Sequence, residues 1–154
     1  MKKYLFDSDT VSDLYDKFSD NHFKIFENLS SLKGMDEVYI SILSLYEFEY
    51  GYANAPDEKK SVVRKKIEEA QQYFDVLPLS HKGSQLFGVL KSSLKESRKL
   101  NKENIKKHNI DIMLAATAIV ENCILVSADS IYIEIQRFNS KLELENWVKV
   151  ERLF

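Results

Sequence analysis

Lys3-Tyr4-Leu5-Phe6-Asp7-Ser8-Asp9-Thr10 is the stretch whose reading decides the fold. Three apolar residues run straight into an acidic turn, and an amphipathic segment follows. A short apolar run bounded in this way predicts a buried central strand. In open α/β sheets, ligands collect just beyond the carboxyl ends of such strands. Asp7 and Asp9 therefore stand where a cation or a phosphate would be met. The turn alone suits a metal ligand and a nucleophile–acid pair equally, so the rest of the chain has to choose.

Outward from this strand, helical and extended patterns alternate. Thr10 or Ser12 can cap a helix with Val11, Leu14, Tyr15 and Phe18 on one face. A second helical pattern carries Phe23, Phe26, Leu29 and Leu32, with Gly34 as its stop. Val38 to Ser41 predicts a strand, and Leu43 to Ala53 a helix with Leu45, Phe48 and Tyr52 inward. On that helix Glu47 and Gly51 lie one turn apart. Pro56 breaks the chain before a charged amphipathic helix over 57–73, and Phe74 to Leu77 predicts a third strand. Ser80 can cap a long helix ending near Lys99. A strongly apolar helix runs from Ile112 to Glu121, with Asn122 as a left-handed cap. A strand at Ile124 to Ser127, a helix over 130–138 and a fifth strand at Trp147 to Val150 complete the order. This alternation predicts an α/β/α sandwich around a central, mostly parallel sheet of about five strands, with residues 1–154 as a single domain.

Composition narrows the function classes. The chain has 154 residues, 44% hydrophobic and 30% charged, with a formal net charge of −2. That balance is ordinary for a globular protein and gives no global attraction to nucleic acid, so a polyanion must be held by a local patch or by metal. The segment Lys91 to Lys107 supplies such a patch: Lys91, Lys95, Arg98, Lys99, Lys102, Lys106 and Lys107 stand against only Glu96 and Glu103. A single cysteine, Cys123, excludes an intrachain disulfide. No secretory or membrane-spanning segment is visible, which predicts a cytoplasmic protein. The four glycines form no phosphate loop, and no His or Cys cluster points to zinc.

Four acids stand where an α/β sheet would gather them. Asp7 and Asp129 end strands, Glu47 lies one to two turns into the helix after the second strand, and Asp111 opens the apolar helix. An aspartate at a strand end or helix start is most often a cap or turn former; four on one predicted sheet edge make a stronger pattern. Carboxylates brought together repel or raise one another's pKa values, and a divalent cation resolves that conflict. Hard oxygen ligands suit Mg²⁺ or Mn²⁺.

The same residues resemble PIN-domain ribonucleases, most closely the VapC-type toxins of bacterial and archaeal toxin–antitoxin pairs. Tyr4-Leu5-Phe6-Asp7-Ser8-Asp9, Ser44 to Gly51, Asp111-Ile112-Met113-Leu114-Ala115-Ala116-Thr117-Ala118-Ile119 and Leu125-Val126-Ser127-Ala128-Asp129 carry the resemblance, in that order. Leu142 to Trp147 is similar to the family's closing strand. The resemblance implies a metal-dependent endoribonuclease with Asp7, Glu47, Asp111 and Asp129 as catalytic, metal-binding acids and Mg²⁺ or Mn²⁺ as cofactor. Ser127 stands where the family usually has a supporting Thr, and Asp9 where it commonly has Asn, so both are expected as accessory residues. The resemblance further implies an RNA substrate, with the basic segment as its track, a homodimer, and a cognate antitoxin that blocks the acidic pocket.

The sequence also fits two other functions. Phe6-Asp7-Ser8-Asp9-Thr10-Val11 also fits the opening motif of haloacid-dehalogenase-type phosphatases, with Asp7 as nucleophile and Asp9 as general acid. That assignment leaves Glu47 and Asp111 without a task. A non-catalytic domain would instead use the acidic pocket to dock a basic peptide.

Overall fold

β1 (Lys3–Phe6) is the middle of the sheet, and Leu5 and Phe6 are wholly buried. The computed structural model describes residues 1–148. Within them β1 is joined by β2 (Glu37–Ser41), β3 (Asp75–Leu77), β4 (Ile124–Val126) and β5 (Glu143–Glu145). The order is β3-β2-β1-β4-β5 and every neighbouring pair is parallel. The chain builds outward from β1 in one direction and then crosses to its other side. The crevice outside the carboxyl ends of β1 and β4 is therefore the topological switch point, where such sheets bind ligands. Phe6 pairs with Val126, and Asp7 N donates to Val126 O at 3.2 Å. This register sets Asp7 beside Ser127.

Alternation along β1 feeds two cores. Leu5 faces α5 (His81–Arg98), α7 (Asn109–Val120) and α8 (Ile131–Phe138), among Leu90, Leu94, Ile112, Ala115, Leu125 and Ile135. Tyr4 and Phe6 face the other layer, made by α1 (Ser8–Leu14), α2 (His22–Ser30), α3 (Ile42–Asn54) and α4 (Asp57–Tyr73). Trp147 closes this second core edge-on to Tyr4 and Phe6, with ring centroids 5.5 and 5.0 Å away. The run Ala115-Ala116-Thr117-Ala118 is buried, and its small side chains let α7 pack close against its neighbours. The architecture is the α/β/α sandwich expected from the sequence. No helix among the described residues is long and apolar enough to cross a membrane.

Local expectations are corrected at four places. The fifth strand is Glu143–Glu145, not Trp147 to Val150; Trp147 and Val148 form a bend, while Lys149 and Val150 lie outside the described residues. Apolarity at Trp147 reports a core contact made from a loop, whereas the charged residues of β5 suit an edge strand. On α2, Ile25 is the buried residue, and Phe23 and Phe26 are 69% and 54% exposed. Steps of three lag a 3.6-residue turn, so the series 23, 26, 29, 32 winds around the helix instead of marking one face. α1 stops at Leu14 and leaves Phe18 exposed, and its cap is Asp7, not Thr10 or Ser12. Finally, α6 (Lys102–Ile105) and a 3-10 turn (Lys106–His108), absent from the sequence expectation, connect α5 to α7. The left-handed residue at Asn122 is present, with φ of 56°.

The phase of α2 is directly testable by urea unfolding. Ile25→Ala should lower stability by about 2–5 kcal/mol, whereas Phe23→Ala should change it by no more than about 0.5 kcal/mol.

Candidate active site

Asp7 anchors the switch point. It is only 7% exposed, and its side chain caps α1 by accepting from Thr10 N at 2.8 Å. Thr10 Oγ1 also sits against Asp7 Oδ1, within reach of Val126 O, and Ser127 Oγ donates to Asp7 Oδ2. Burial pushes the Asp7 pKa up, the Ser127 and Thr10 bonds pull against that, and Asp9 adds a small push upward. Ser127 in turn accepts from Asp129 N at 3.0 Å, so one hydroxyl ties the end of β1 to the loop after β4. Asp129 closes that loop by accepting from Ile131 N at 3.0 Å.

Glu47 and Asp111 also have donors. Glu47, exposed on α3, accepts from Ser8 Oγ at 2.6 Å, and Ser8 Oγ lies 2.8 Å from the buried Ser44 Oγ. Asp111, in the first turn of α7, accepts through Oδ1 from the Tyr132 hydroxyl at 3.3 Å. Helix-start placement favours the Asp111 charge. The surroundings oppose it more strongly: burial first, then Asp129, with Asp7 and Glu47 adding to them, raise its pKa to about 6 against the Tyr132 hydrogen bond.

Asp7, Asp9, Glu47, Asp111 and Asp129 thus line one pocket of about 180 Å³, together with Lys107 and Tyr132. Two larger cavities adjoin it. One of about 370 Å³ shares Asp7, Asp9 and Asp129 and reaches Asn21, Ile25 and Trp147. The other, of about 560 Å³, shares Asp9 and Glu47 and runs between α1, α3 and α4 past Lys66. The larger of these two is a groove that starts at Asp9 and Glu47, and the five acids meet in the small pocket.

Among the described residues, no three His, Cys, Asp or Glu side chains form a cluster that could hold a metal ion directly. The donor chemistry nonetheless fits a hard divalent cation. The side-chain oxygens are carboxylate or hydroxyl, burial and then the neighbouring acids raise the Asp111 pKa, and Lys107 is the cation on the pocket wall. Mg²⁺ keeps several of its waters and binds through few carboxylates, so it tolerates such a spread.

A family model described as the PIN domain matches residues 4–137. The chain belongs to the PIN domain family. Its fold also matches solved structures along nearly its whole length. A chain of VapBC2 from Rickettsia felis, bound to a DNA fragment from its promoter, is 26% identical, with TM-score 0.72 and 94% and 98% of the two chains covered. FitAcB from Neisseria gonorrhoeae is 20% identical, with TM-score 0.73 and coverage of 96% and 99%. VapBC-5 from Mycobacterium tuberculosis, a member of a family of toxin–antitoxin systems, is 16% identical, with TM-score 0.66 and coverage of 95% and 99%. No curated protein sequence matches the chain.

The basic residues of this PIN domain do not act as one group. Lys107 lines the acidic pocket. Arg98 is paired with Glu134 at 2.7 Å, and Lys106 with Glu103 at 3.2 Å. Lys91 lies over the Phe87 ring at 5.5 Å, and Lys95, Lys99 and Lys102 are exposed. Thr10, Ser8, Ser44 and Tyr132 are site residues that sequence patterns did not single out. The Asp7–Thr10 spacing is a legible cap signal. Nothing in the sequence links Tyr132 to Asp111, which is 21 positions away and on another helix.

A carboxyl whose pKa is higher folded than unfolded binds its proton more tightly in the native state. Stability of the metal-free protein should therefore fall as pH rises from about 4 to about 6, the Asp111 value, and level off above it. Asp111→Asn should flatten this segment of the melting-temperature profile and raise the metal-free midpoint at pH 7.

Proposed function

We propose that this PIN domain is an Mg²⁺- or Mn²⁺-dependent endoribonuclease acting in the cytoplasm as the toxin of a toxin–antitoxin pair. The observation that carries the proposal is the convergence of Asp7, Glu47, Asp111 and Asp129 on one pocket at the sheet's switch point. The single sheet of the described residues supports taking 1–154 as one nuclease domain. Asp7, Asp111 and Asp129 would hold the ion directly or through its water molecules, and Glu47 would hold a metal-bound water or a second ion. When bound, the cation supplies Lewis acidity toward the phosphate and lowers the pKa of a coordinated water.

The chain's own residues divide the remaining work. Ser127 and Thr10 fix both oxygens of Asp7, so its rotamer is set before substrate arrives. Ser8 holds Glu47 Oε1, leaving Oε2 to orient the attacking water or take its proton. Lys107 offsets charge on the scissile phosphate, and exposed Lys95, Lys99 and Lys102 extend the backbone track. Single-stranded RNA suits an open pocket of this kind. The similarity to toxin–antitoxin complexes supports an antitoxin partner; in this reading the antitoxin inserts an Arg or Lys among the carboxylates, and the toxin is a homodimer.

A phosphatase with Asp7 as nucleophile is disfavoured. Both Asp7 oxygens are engaged by hydrogen-bond donors, and the family assignment is to PIN domains. Variants separate the two chemistries. Asp9→Ala should weaken RNA cleavage modestly and Glu47→Ala severely; a phosphatase would show the reverse. Asp7→Ala should abolish Mn²⁺-dependent cleavage of single-stranded RNA and relieve growth arrest in a bacterium lacking the antitoxin. The loss should exceed the 10–100-fold that removal of a mere supporting group causes, so roughly 100-fold or more. Absence of Mn²⁺-dependent cleavage by the wild-type protein would leave the acidic pocket a docking site. Lys107→Ala should raise KM for RNA and reduce the salt dependence of binding by about one unit of log–log slope.

A further inference from the structure

The phenol of Tyr132 lines the pocket and has no task in the proposed chemistry. Its ring belongs to the core between the sheet and α7, among Leu94, Ile105, Ile112 and Ile135, and the residue is 1% exposed. The ring is therefore held by packing on every side, yet its hydroxyl reaches the carboxylate pocket and meets Asp111 Oδ1 at 3.3 Å. Three other acids of the pocket are held by hydroxyl or backbone donors. Asp7 has Thr10 and Ser127, Glu47 has Ser8, and Asp129 has the backbone of Ile131. Asp111 has no local donor among the described residues, and Tyr132 supplies the hydrogen bond it accepts.

Asp111 shares this small pocket with the carboxylates of Asp129, Asp7 and Glu47. Repulsion from Asp129, Asp7 and Glu47 favours rotamers that swing its carboxylate out of the pocket, and an aspartate in a first helical turn has that freedom. We propose that Tyr132 is the positioning residue that keeps the Asp111 carboxylate turned into the pocket, where it would help to hold the divalent cation. The proposal rests on the metal-dependent function above. The phenol would act through Asp111, whose Oδ1 it meets. The same arrangement is common around metal sites, where a ligand's second atom is fixed by a neighbouring donor.

Tyr132→Phe removes the hydroxyl and leaves the ring packing in place. Calorimetric titration of the full, metal-free chain with Mn²⁺ should show affinity reduced about 10-fold, the lower end for loss of a group that orients a ligand. The metal-free melting midpoint should move by less than about 4 °C. The Mn²⁺ concentration giving half-maximal RNA cleavage should rise in parallel, and cleavage at saturating Mn²⁺ should recover most of the wild-type rate. A purely structural tyrosine predicts the opposite pattern, a lowered metal-free midpoint with unchanged Mn²⁺ affinity, and that result overturns the proposal. Equal affinity in both proteins overturns this inference alone. Failure of the wild-type protein to bind Mn²⁺ overturns the nuclease assignment and this inference with it.

Discussion

A carboxylate that is almost entirely removed from water must have both oxygens satisfied, and the way Asp7 meets that requirement organises the functional end of the sheet. Its Oδ1 takes the free backbone N–H of Thr10, so the acid doubles as the cap that starts α1. Its Oδ2 takes the Ser127 hydroxyl, which already accepts from Asp129 N. The two central strands are parallel and in register at Phe6 and Val126, so these bonds form only if β1 and β4 are adjacent. A buried charge left without these donors would be strongly unfavourable. The pairing of the strands and the placement of two acids are thus one event.

Around that anchor the protein tolerates an unfavourable arrangement. Burial, and after it the carboxylates of Asp129, Asp7 and Glu47, raise the Asp111 pKa to about 6, and Lys107 is the basic residue lining the same pocket. Such local destabilisation is characteristic of sites built to receive something of opposite charge. A divalent cation, the side chain of a basic partner peptide, or both in turn would relieve it. The same feature thereby links the proposed catalytic and inhibited states: what neutralises the pocket decides whether it cleaves.

Charge elsewhere follows a different logic. Arg98 and Lys106 are engaged in ion pairs with Glu134 and Glu103, and Lys91 lies along the Phe87 ring. A basic run in the sequence is therefore only partly a basic surface. The short helix and 3-10 turn over 102–108 turn the chain so that Lys107 reaches the acidic pocket.

By itself the sequence determined the α/β/α class, most element positions and the identity of the acids, because burial periodicity and strand-end residues are local signals. It misjudged the phase of α2 at Phe23 and Phe26, where spacing by threes mimics a face, and the fifth strand, where Trp147 looks extended but packs from a bend. The similarity of Leu142 to Trp147 to the family's closing strand located β5 better than hydropathy did, since an edge strand carrying Glu143 and Glu145 has little apolar signature. Only the tertiary structure decided which groups meet. Thr10 and Ser127 share Asp7, Ser8 reaches Glu47, and Tyr132 holds Asp111, because side chains distant in sequence are brought together by strand order and helix packing. Hydrogen bonds act over about 3 Å, and no pattern along the chain encodes distances of that kind across it.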